Sequence, residues 1–89
     1  VIGNGATIGE RCAIYQNVTL GGVHAGDWHD GLHPKVGDDV LLSAGCVLIG
    51  DITVGSNVSV GANAVVRANV PDGHTAVGVP ARLIPPKIA

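Results

Sequence analysis

Histidine and aspartate residues are concentrated in one short segment of this 89-residue chain. His24, His29 and His33 are three of its four histidines, and Asp27 and Asp30 lie between them. Histidine exchanges protons near neutral pH and a neighbouring carboxylate can orient it, so the segment is a candidate site of general acid–base catalysis. The same residue types could instead ligate zinc. Because such loop spacings arise by chance and no cysteine lies nearby, we predict no metal site and attribute the polarity of His24 and His29 to solvation.

A branched aliphatic residue recurs at every sixth position on both sides of this segment. That period fits neither an α-helix nor a flat strand, and it predicts an all-β solenoid of hexapeptide repeats, a parallel β-helix with three hexads in each coil. Leu20 and Val36 are sixteen residues apart, which is not a multiple of six, so residues 21–35 must leave the coil as an extended loop. The repeat positions are Ile2, Ile8, Ile14, Leu20, Val36, Leu42, Leu48, Val54, Val60 and Val66.

The repeat also predicts how the chain is divided. Residues 1–70 form the β-helix with its loop insertion, and residues 71–89 form a turn and an extended tail that contains Pro85 and Pro86. Solenoids need capping segments at their ends. Since the repeat is already in register at the first residue, we expect an N-terminal part of the full protein to precede this chain.

The composition excludes several classes of protein. There is no Phe and no Met, and one Trp and one Tyr, so a thin core of Val, Ile, Leu and Ala is expected, with 14 glycines at tight corners. A net charge of −2 and a pI near 6.0 argue against a nucleic-acid-binding protein. No stretch is apolar enough for a membrane span or a signal peptide. Cys12 and Cys46 occupy repeat positions otherwise held by small apolar residues, which indicates buried thiols and a cytoplasmic location.

Three strings give the chain a resemblance to a known family. They are Val18–Gly22 (VTLGG), His33–Gly37 (HPKVG) and Gly78–Arg82 (GVPAR). In this order, among the hexads, they resemble the bacterial serine O-acetyltransferases, which are hexapeptide-repeat acyltransferases. The resemblance implies a left-handed parallel β-helix, assembly into trimers or dimers of trimers with active sites between neighbouring subunits, and transfer of an acetyl group from acetyl-CoA to a hydroxyl. No nucleic acid, membrane or metal is implied.

The resemblance also assigns site residues. His33 matches the second active-site histidine of the family and is the predicted catalytic residue, either as a base or as a group that orients the acceptor; otherwise it is a turn histidine held by Pro34. Arg82 and Lys87 are candidates for the cofactor phosphates, or are solvated surface charges. The remaining predicted acetyl-CoA contacts, whose alternative role is corner packing, are Gly22, Ala44 and Ala62, with Ser43 and Gly45 beside Ala44.

Two departures from the family pattern concern the acceptor and the catalytic group. The family places Arg directly before the His-Pro-Lys string, where this chain has Leu32, and that Arg helps to hold the carboxylate of serine. The family's Asp-His dipeptide falls upstream of Val1. Trp28 and Asp30 are predicted to contact the acceptor, although Trp28 has a neighbouring subunit as its alternative partner.

These observations support three hypotheses. The leading one is a serine O-acetyltransferase-like enzyme of cysteine biosynthesis, which converts acetyl-CoA and L-serine to O-acetylserine and CoA. A saccharide O-acetyltransferase of polysaccharide modification is the alternative that Leu32 and Trp28 favour. A non-catalytic β-helix that binds a partner is the third hypothesis, because the upstream histidine is not in this chain.

Overall fold

The fold is taken from a computed structural model, which describes residues 1–23 and 32–87. The predictions made for His24, Asp27, Trp28, His29 and Asp30 lie outside the described residues. Within the described ranges there is no α-helix, and so no helix long and apolar enough to cross a bilayer.

The described chain forms eleven strands of two or three residues, each followed by a corner. Such short strands are expected where a branched aliphatic is followed at once by glycine and polar residues. The strands are β1 (Thr7–Ile8), β2 (Ala13–Ile14), β3 (Thr19–Gly21), β4 (Lys35–Val36), β5 (Leu41–Leu42), β6 (Val47–Ile49), β7 (Thr53–Val54), β8 (Ser59–Val60), β9 (Val65–Val66), β10 (Thr75–Val77) and β11 (Arg82–Ile84).

Three sheets form the faces of a triangular prism, and their strands are parallel except for β11. The first face contains β1, β4 and β7, the second contains β2, β5, β8, β10 and β11, and the third contains β3, β6 and β9. Successive coils stack in register, as in the pairing of Leu20 with Leu48 and of Leu48 with Val66. The fold is therefore the left-handed parallel β-helix that the resemblance implies, and the prediction of fold class is confirmed.

The repeat aliphatics fill the interior of the prism. Leu20, Leu42, Leu48 and Val60 are completely buried, and burying an aliphatic side chain of this size contributes about 1.5–3 kcal/mol. In the first coil Ile2 is 48% exposed, because a neighbouring coil covers it on one side only in the described part of the chain. The ladders thus become fully buried from the second coil onward.

The corner between the first and second faces shows why glycine so often follows the aliphatic residue. A Cβ at Gly37 would lie 2.7 Å from Ser56 Oγ and 3.0 Å from the carbonyl carbon of Gly55 in the next coil. Any larger residue would push the stacked coils apart. Two positions later the backbone is left-handed in three coils, with φ of 56° at Arg11, 57° at Asp39 and 58° at Asn57.

The loop enters and leaves the prism at the corner between the third and first faces. Before it, the coil step is 18 residues, as in the bridge between Ile2 and Leu20; across it, Thr7 pairs with Lys35, 28 residues later. The loop is therefore a ten-residue insertion in one corner. β3 includes Gly21 and β4 begins at Lys35, so the connection covers residues 22–34 where the sequence predicts 21–35.

The last coil is shorter than the others. Val70 bridges Val54, sixteen residues earlier, so the corner after Val66 lacks two residues. β10 then continues the second face in parallel with β8, and β11 folds back antiparallel to β10. For residues 71–89 the sequence predicts a turn and an extended tail, whereas the structure places β10 and β11 there. The aliphatic repeat continues at Val70 and Ala76, but each comes two residues earlier than the six-residue period would place it.

Candidate functional site

Pro34 anchors the end of the loop that carries His33. Its side chain is fully buried, at the inward corner position that Ala6 and Ile52 take in the neighbouring coils, and its carbonyl accepts the N–H of Thr7 at 3.1 Å. Proline needs no donor partner and restricts the preceding residue to an extended backbone. The buried proline therefore fixes the position of the backbone at His33, where the loop joins the prism.

The side chain of His33 is almost completely buried, with 5% of its surface exposed. The Cδ2–Nε2 edge of its ring faces Gly3, since a Cβ built on Gly3 would lie 2.7 Å from Nε2 and 3.0 Å from the carbonyl oxygen of Leu20. Nδ1 lies on the opposite side of the ring, and it has no hydrogen-bond partner within residues 1–23 and 32–87. An unpaired buried nitrogen costs about 1–3 kcal/mol, so Nδ1 is a hydrogen-bonding group that the described residues leave unused.

The side chains next to His33 in sequence differ in charge and exposure. Leu32 is 39% exposed and brings an apolar side chain to the position before the histidine. Lys35 Nζ lies 3.0 Å from Asp51 Oδ1, and both side chains are largely in water. Lys35 is thus already paired, and Leu32 supplies no charge for an acidic ligand.

The predicted cofactor residues Ser43, Ala44, Gly45 and Ala62 meet at the corner between the second and third faces. Ala44 lies one coil below Ala62, and its carbonyl accepts the N–H of Asn63 at 3.0 Å. Ser43, Ala44 and Gly45 are partly exposed and Ala62 is exposed, while the side chain of Asn63 lies over Gly45. The structure therefore brings these four residues together.

Gly22 lies apart from that group. It follows β3, whereas the corner with Ala44 precedes β6, so the two are at opposite ends of the third face. Val47 and Val65 point outward between them and are partly exposed. A ligand that contacts both ends must cross this apolar sheet face.

The two predicted phosphate ligands lie at the end of the prism where the chain leaves the coils. Arg82 begins β11 and is exposed, and Lys87 is exposed beyond it. The connection from Gly78 to Ala81 packs on β9, because Val65 donates to Gly78 and accepts from Ala81. Arg82 is thereby held next to the third face.

The residues whose pKa values are shifted lie outside this site. Arg11 donates hydrogen bonds from Nε and Nη2 to Asp39, at 2.8 and 3.2 Å, and these lower the pKa of Asp39 and raise that of Arg11. Burial raises the pKa of the Cys46 thiol. Cys12 and Cys46 are both free thiols at different corners; Cys46 is buried as predicted, whereas Cys12 is only partly buried. In the described ranges no three metal-binding side chains come together.

Sequence reasoning did not single out Gly3. A glycine after the repeat aliphatic is common in this chain, so nothing in the pattern distinguishes Gly3 from Gly9 or Gly55. The distinguishing fact is the contact with His33, which lies thirty residues away in sequence. Only the stacking of the loop corner on the first coil makes that contact visible.

The arrangement as a whole offers a buried histidine at one end of an apolar sheet face and a small-residue corner at the other. A neutral imidazole can accept a hydroxyl proton. Small side chains let an extended ligand approach the backbone at the small-residue corner, where the N–H groups of Ser43, Gly45 and Asn63 already donate to neighbouring coils. The geometry suits group transfer between a long donor and a hydroxyl acceptor.

Comparison with known proteins gives consistent results. The family model described as bacterial transferase hexapeptide (six repeats) matches residues 33–68. A serine acetyltransferase of Staphylococcus aureus (strain Mu50) is 46% identical over 84 residues, covering 94% of this chain and 38% of that protein. The chain thus spans about two fifths of the length of that curated relative.

Solved structures that share the fold include two serine acetyltransferases with bound ligands. The serine acetyltransferase of Neisseria gonorrhoeae in complex with serine has a TM-score of 0.80 and 44% identity, covering 90% of this chain and 32% of that one. The serine acetyltransferase of Brucella abortus strain S19 in complex with coenzyme A has a TM-score of 0.87 and 37% identity, covering 100% and 35%. The chain therefore belongs to the hexapeptide-repeat acyltransferases and is similar to the β-helix portion of the serine acetyltransferases.

Proposed function

We propose that the protein is an acetyl-CoA-dependent O-acetyltransferase whose acceptor is L-serine, forming O-acetylserine and CoA in cysteine biosynthesis. The observation that carries the proposal is the buried His33, held by Pro34 at a corner of a β-helix similar to serine acetyltransferases. The Neisseria relative was solved with serine and the Brucella relative with coenzyme A. These ligands support the acceptor and the donor proposed for this chain.

The reaction needs a proton acceptor because an alcohol is a weak nucleophile at neutral pH. In the proposed step the acceptor hydroxyl binds to His33, its proton passes to the imidazole, and its oxygen attacks the thioester carbonyl. The tetrahedral intermediate collapses as the C–S bond breaks, and the leaving thiolate of CoA takes up the proton. Where His33 only orients the hydroxyl, the proton passes to another base.

The cofactor is proposed to lie between neighbouring subunits, along the edges of their third faces. Gly22 would contact it near the reacting end, and the corner that contains Ser43, Ala44, Gly45 and Ala62 would bind the pantetheine amides. Arg82 and Lys87 would neutralise phosphates. Trp28 and Asp30 remain proposed contacts of the acceptor.

Turnover of acetyl-CoA by the full-length protein tests this function. We expect activity with L-serine, and a loss of about 10²–10⁴-fold in kcat for His33→Ala. His74→Ala is the matched control, since His74 is the other described histidine and lies at a different corner, where Nδ1 is 3.0 Å from the Asp72 carbonyl. That variant keeps kcat within about twofold of the unmodified protein. Equal losses in the two variants would contradict the role of His33.

A saccharide acceptor is the second candidate, and Leu32 is the observation that favours it. The exposed apolar side chain stands where the family has an Arg for the serine carboxylate, and a sugar carries no carboxylate to be held. A panel of L-serine and several sugars separates the two candidates. Efficient turnover of a sugar with none of serine would replace the first proposal by the second.

The proposed assembly is a homotrimer, or a dimer of trimers, that buries the third face. Its outward side chains include Val47, Ile49 and Val65, all partly exposed, whereas the outward residues of the first face, such as Thr7 and Lys35, are polar. An apolar face of this kind marks a contact between copies of a chain. Two free thiols fit a reducing compartment, and we place the protein in the cytoplasm.

A further inference from the structure

We propose that Gly3 is a positioning residue for His33: the missing side chain at Gly3 makes the space in which the imidazole ring is held for catalysis. The proposal rests on the proposed function, because it assigns a catalytic consequence to the orientation of His33. Its structural part, the contact between the two residues, stands independently of any activity.

The contact leaves no room for a side chain at Gly3. A Cβ there would meet the ring of His33 at Cδ2 and would lie 2.7 Å from Nε2. Real Cβ atoms do not approach other atoms so closely, so the ring would have to move. Gly3 does not have the positive φ of a left-handed residue. Space, rather than backbone conformation, is therefore the reason for glycine at this position.

The backbones of Gly3 and His33 are both held in place, so a small backbone shift cannot relieve the clash between an added Cβ at Gly3 and the ring of His33. Gly3 donates to the carbonyl of Leu20 at 2.7 Å and accepts from Ala6 at 3.1 Å. On the other side, buried Pro34 fixes the backbone that follows His33. A methyl group at Gly3 would displace the ring itself, and with it Nδ1, the ring nitrogen that has no partner among the described residues. A displacement of about 1 Å at a reacting group can cost about a hundredfold in rate.

A double-mutant cycle in the full-length protein tests the proposal. The variants are Gly3→Ala, His33→Ala and the two combined. Gly3→Ala should lower kcat at least about tenfold, with the KM for acetyl-CoA within about twofold, and lower Tm by about 2–4 °C or more. In the His33→Ala background the vacated ring leaves space for the methyl group. Only the 3.0 Å approach to the Leu20 carbonyl oxygen remains there, so Gly3→Ala should lower Tm clearly less than in the unmodified protein and should not lower kcat further.

Gly9→Ala is the control for general disruption of the first coil. A Cβ at Gly9 would lie 2.6 Å from the carbonyl oxygen of Gly37, at a different corner from His33. This variant should lower Tm by the same amount with or without the imidazole, and should leave the kcat of the folded protein unchanged. If Gly3→Ala is insoluble while the double variant is soluble, the same coupling has been observed.

Three outcomes overturn the proposal. Equal effects of Gly3→Ala in both backgrounds would mean that glycine serves only the backbone. No effect of Gly3→Ala on kcat or Tm would mean that the ring does not need the space. Full activity of His33→Ala would refute the proposed role of His33 and the catalytic part of this inference, and the Tm cycle would then show whether the contact itself exists.

Discussion

Single residues in this chain owe their roles to the coil above or below them. His33 is buried between a proline that anchors its backbone and a glycine that leaves room for its ring. Arg11 has a left-handed φ of 56°, unusual for a residue with a Cβ, and its guanidinium pairs with Asp39, one coil step further along the chain. The same stacking thus serves a site residue at one corner and an ion pair at another.

The Arg11–Asp39 pair predicts a dependence on acid. The hydrogen bond from Arg11 holds the pKa of Asp39 below its ordinary 3.8, so the unfolded chain binds this proton more readily than the folded chain. The pair therefore stabilises the fold above the unfolded pKa, and this contribution is lost as the pH falls through the lower, folded pKa. In Arg11→Ala, an NMR titration should show the pKa of Asp39 raised towards 3.8.

Glu10→Gln is the control for that titration. Glu10 contacts Nη1 of Arg11 at 3.1 Å, whereas Asp39 accepts from Nε and Nη2. The pKa of Asp39 should change much less in Glu10→Gln than in Arg11→Ala. An unaltered Asp39 titration in Arg11→Ala would show that the ion pair does not form in solution.

At the scale of the strand, inward-facing and outward-facing side chains contribute differently to the stability of the fold. In β5, Leu42 is completely buried in the core and neighbouring Leu41 lies on the outer surface, partly exposed. The two residues have the same side chain and are adjacent in sequence. They separate the contribution of the aliphatic ladder from that of strand propensity.

Truncation of these two leucines should have unequal effects. Leu42→Ala leaves a cavity between rigid coils and should lower the free energy of unfolding by about 2–5 kcal/mol. Leu41→Ala removes partly exposed surface and should cost less than about 1 kcal/mol. Urea denaturation at one protein concentration measures both. Comparable losses would mean that Leu41 is buried by another part of the protein.

At the scale of the whole molecule, the three faces of the prism differ in polarity. The third face combines the apolar outward residues Val47, Ile49 and Val65 with the two groups of predicted cofactor contacts at its ends. The proposed assembly and the proposed cofactor therefore use the same surface, as expected for active sites between subunits.

Replacement of Val47 by Asp should dissociate the proposed trimer. A carboxylate on the apolar third face would be buried without a partner on association, which is strongly unfavourable. Light scattering after gel filtration should give the mass of a trimer or of a dimer of trimers for the unmodified protein, and the mass of a monomer for Val47→Asp. Thr53→Asp, on the polar first face, is the matched control and should remain trimeric. A trimer in both variants would place the contact on another face.

The sequence by itself determined the period, and the period determined the fold. Six-residue spacing of branched aliphatics places the strands, the three-sided coil and the interruption after Leu20, because each hexad specifies its own strand and corner through local geometry. The resemblance carried by Val18–Gly22, His33–Gly37 and Gly78–Arg82 led to the family, which the relatives confirm. The assignments of His33, Gly22 and the small-residue corner stay predictions.

Only the tertiary structure decided which residues meet across coils. The contact of Gly3 with His33, the shortened corner after Val66 and the return of β11 along β10 depend on how coils of unequal length stack. The six-residue period does not predict the geometry of a ten-residue insertion or a corner that lacks two residues. Contacts between residues thirty positions apart follow from the register of whole coils, and that register is a property of the assembled prism.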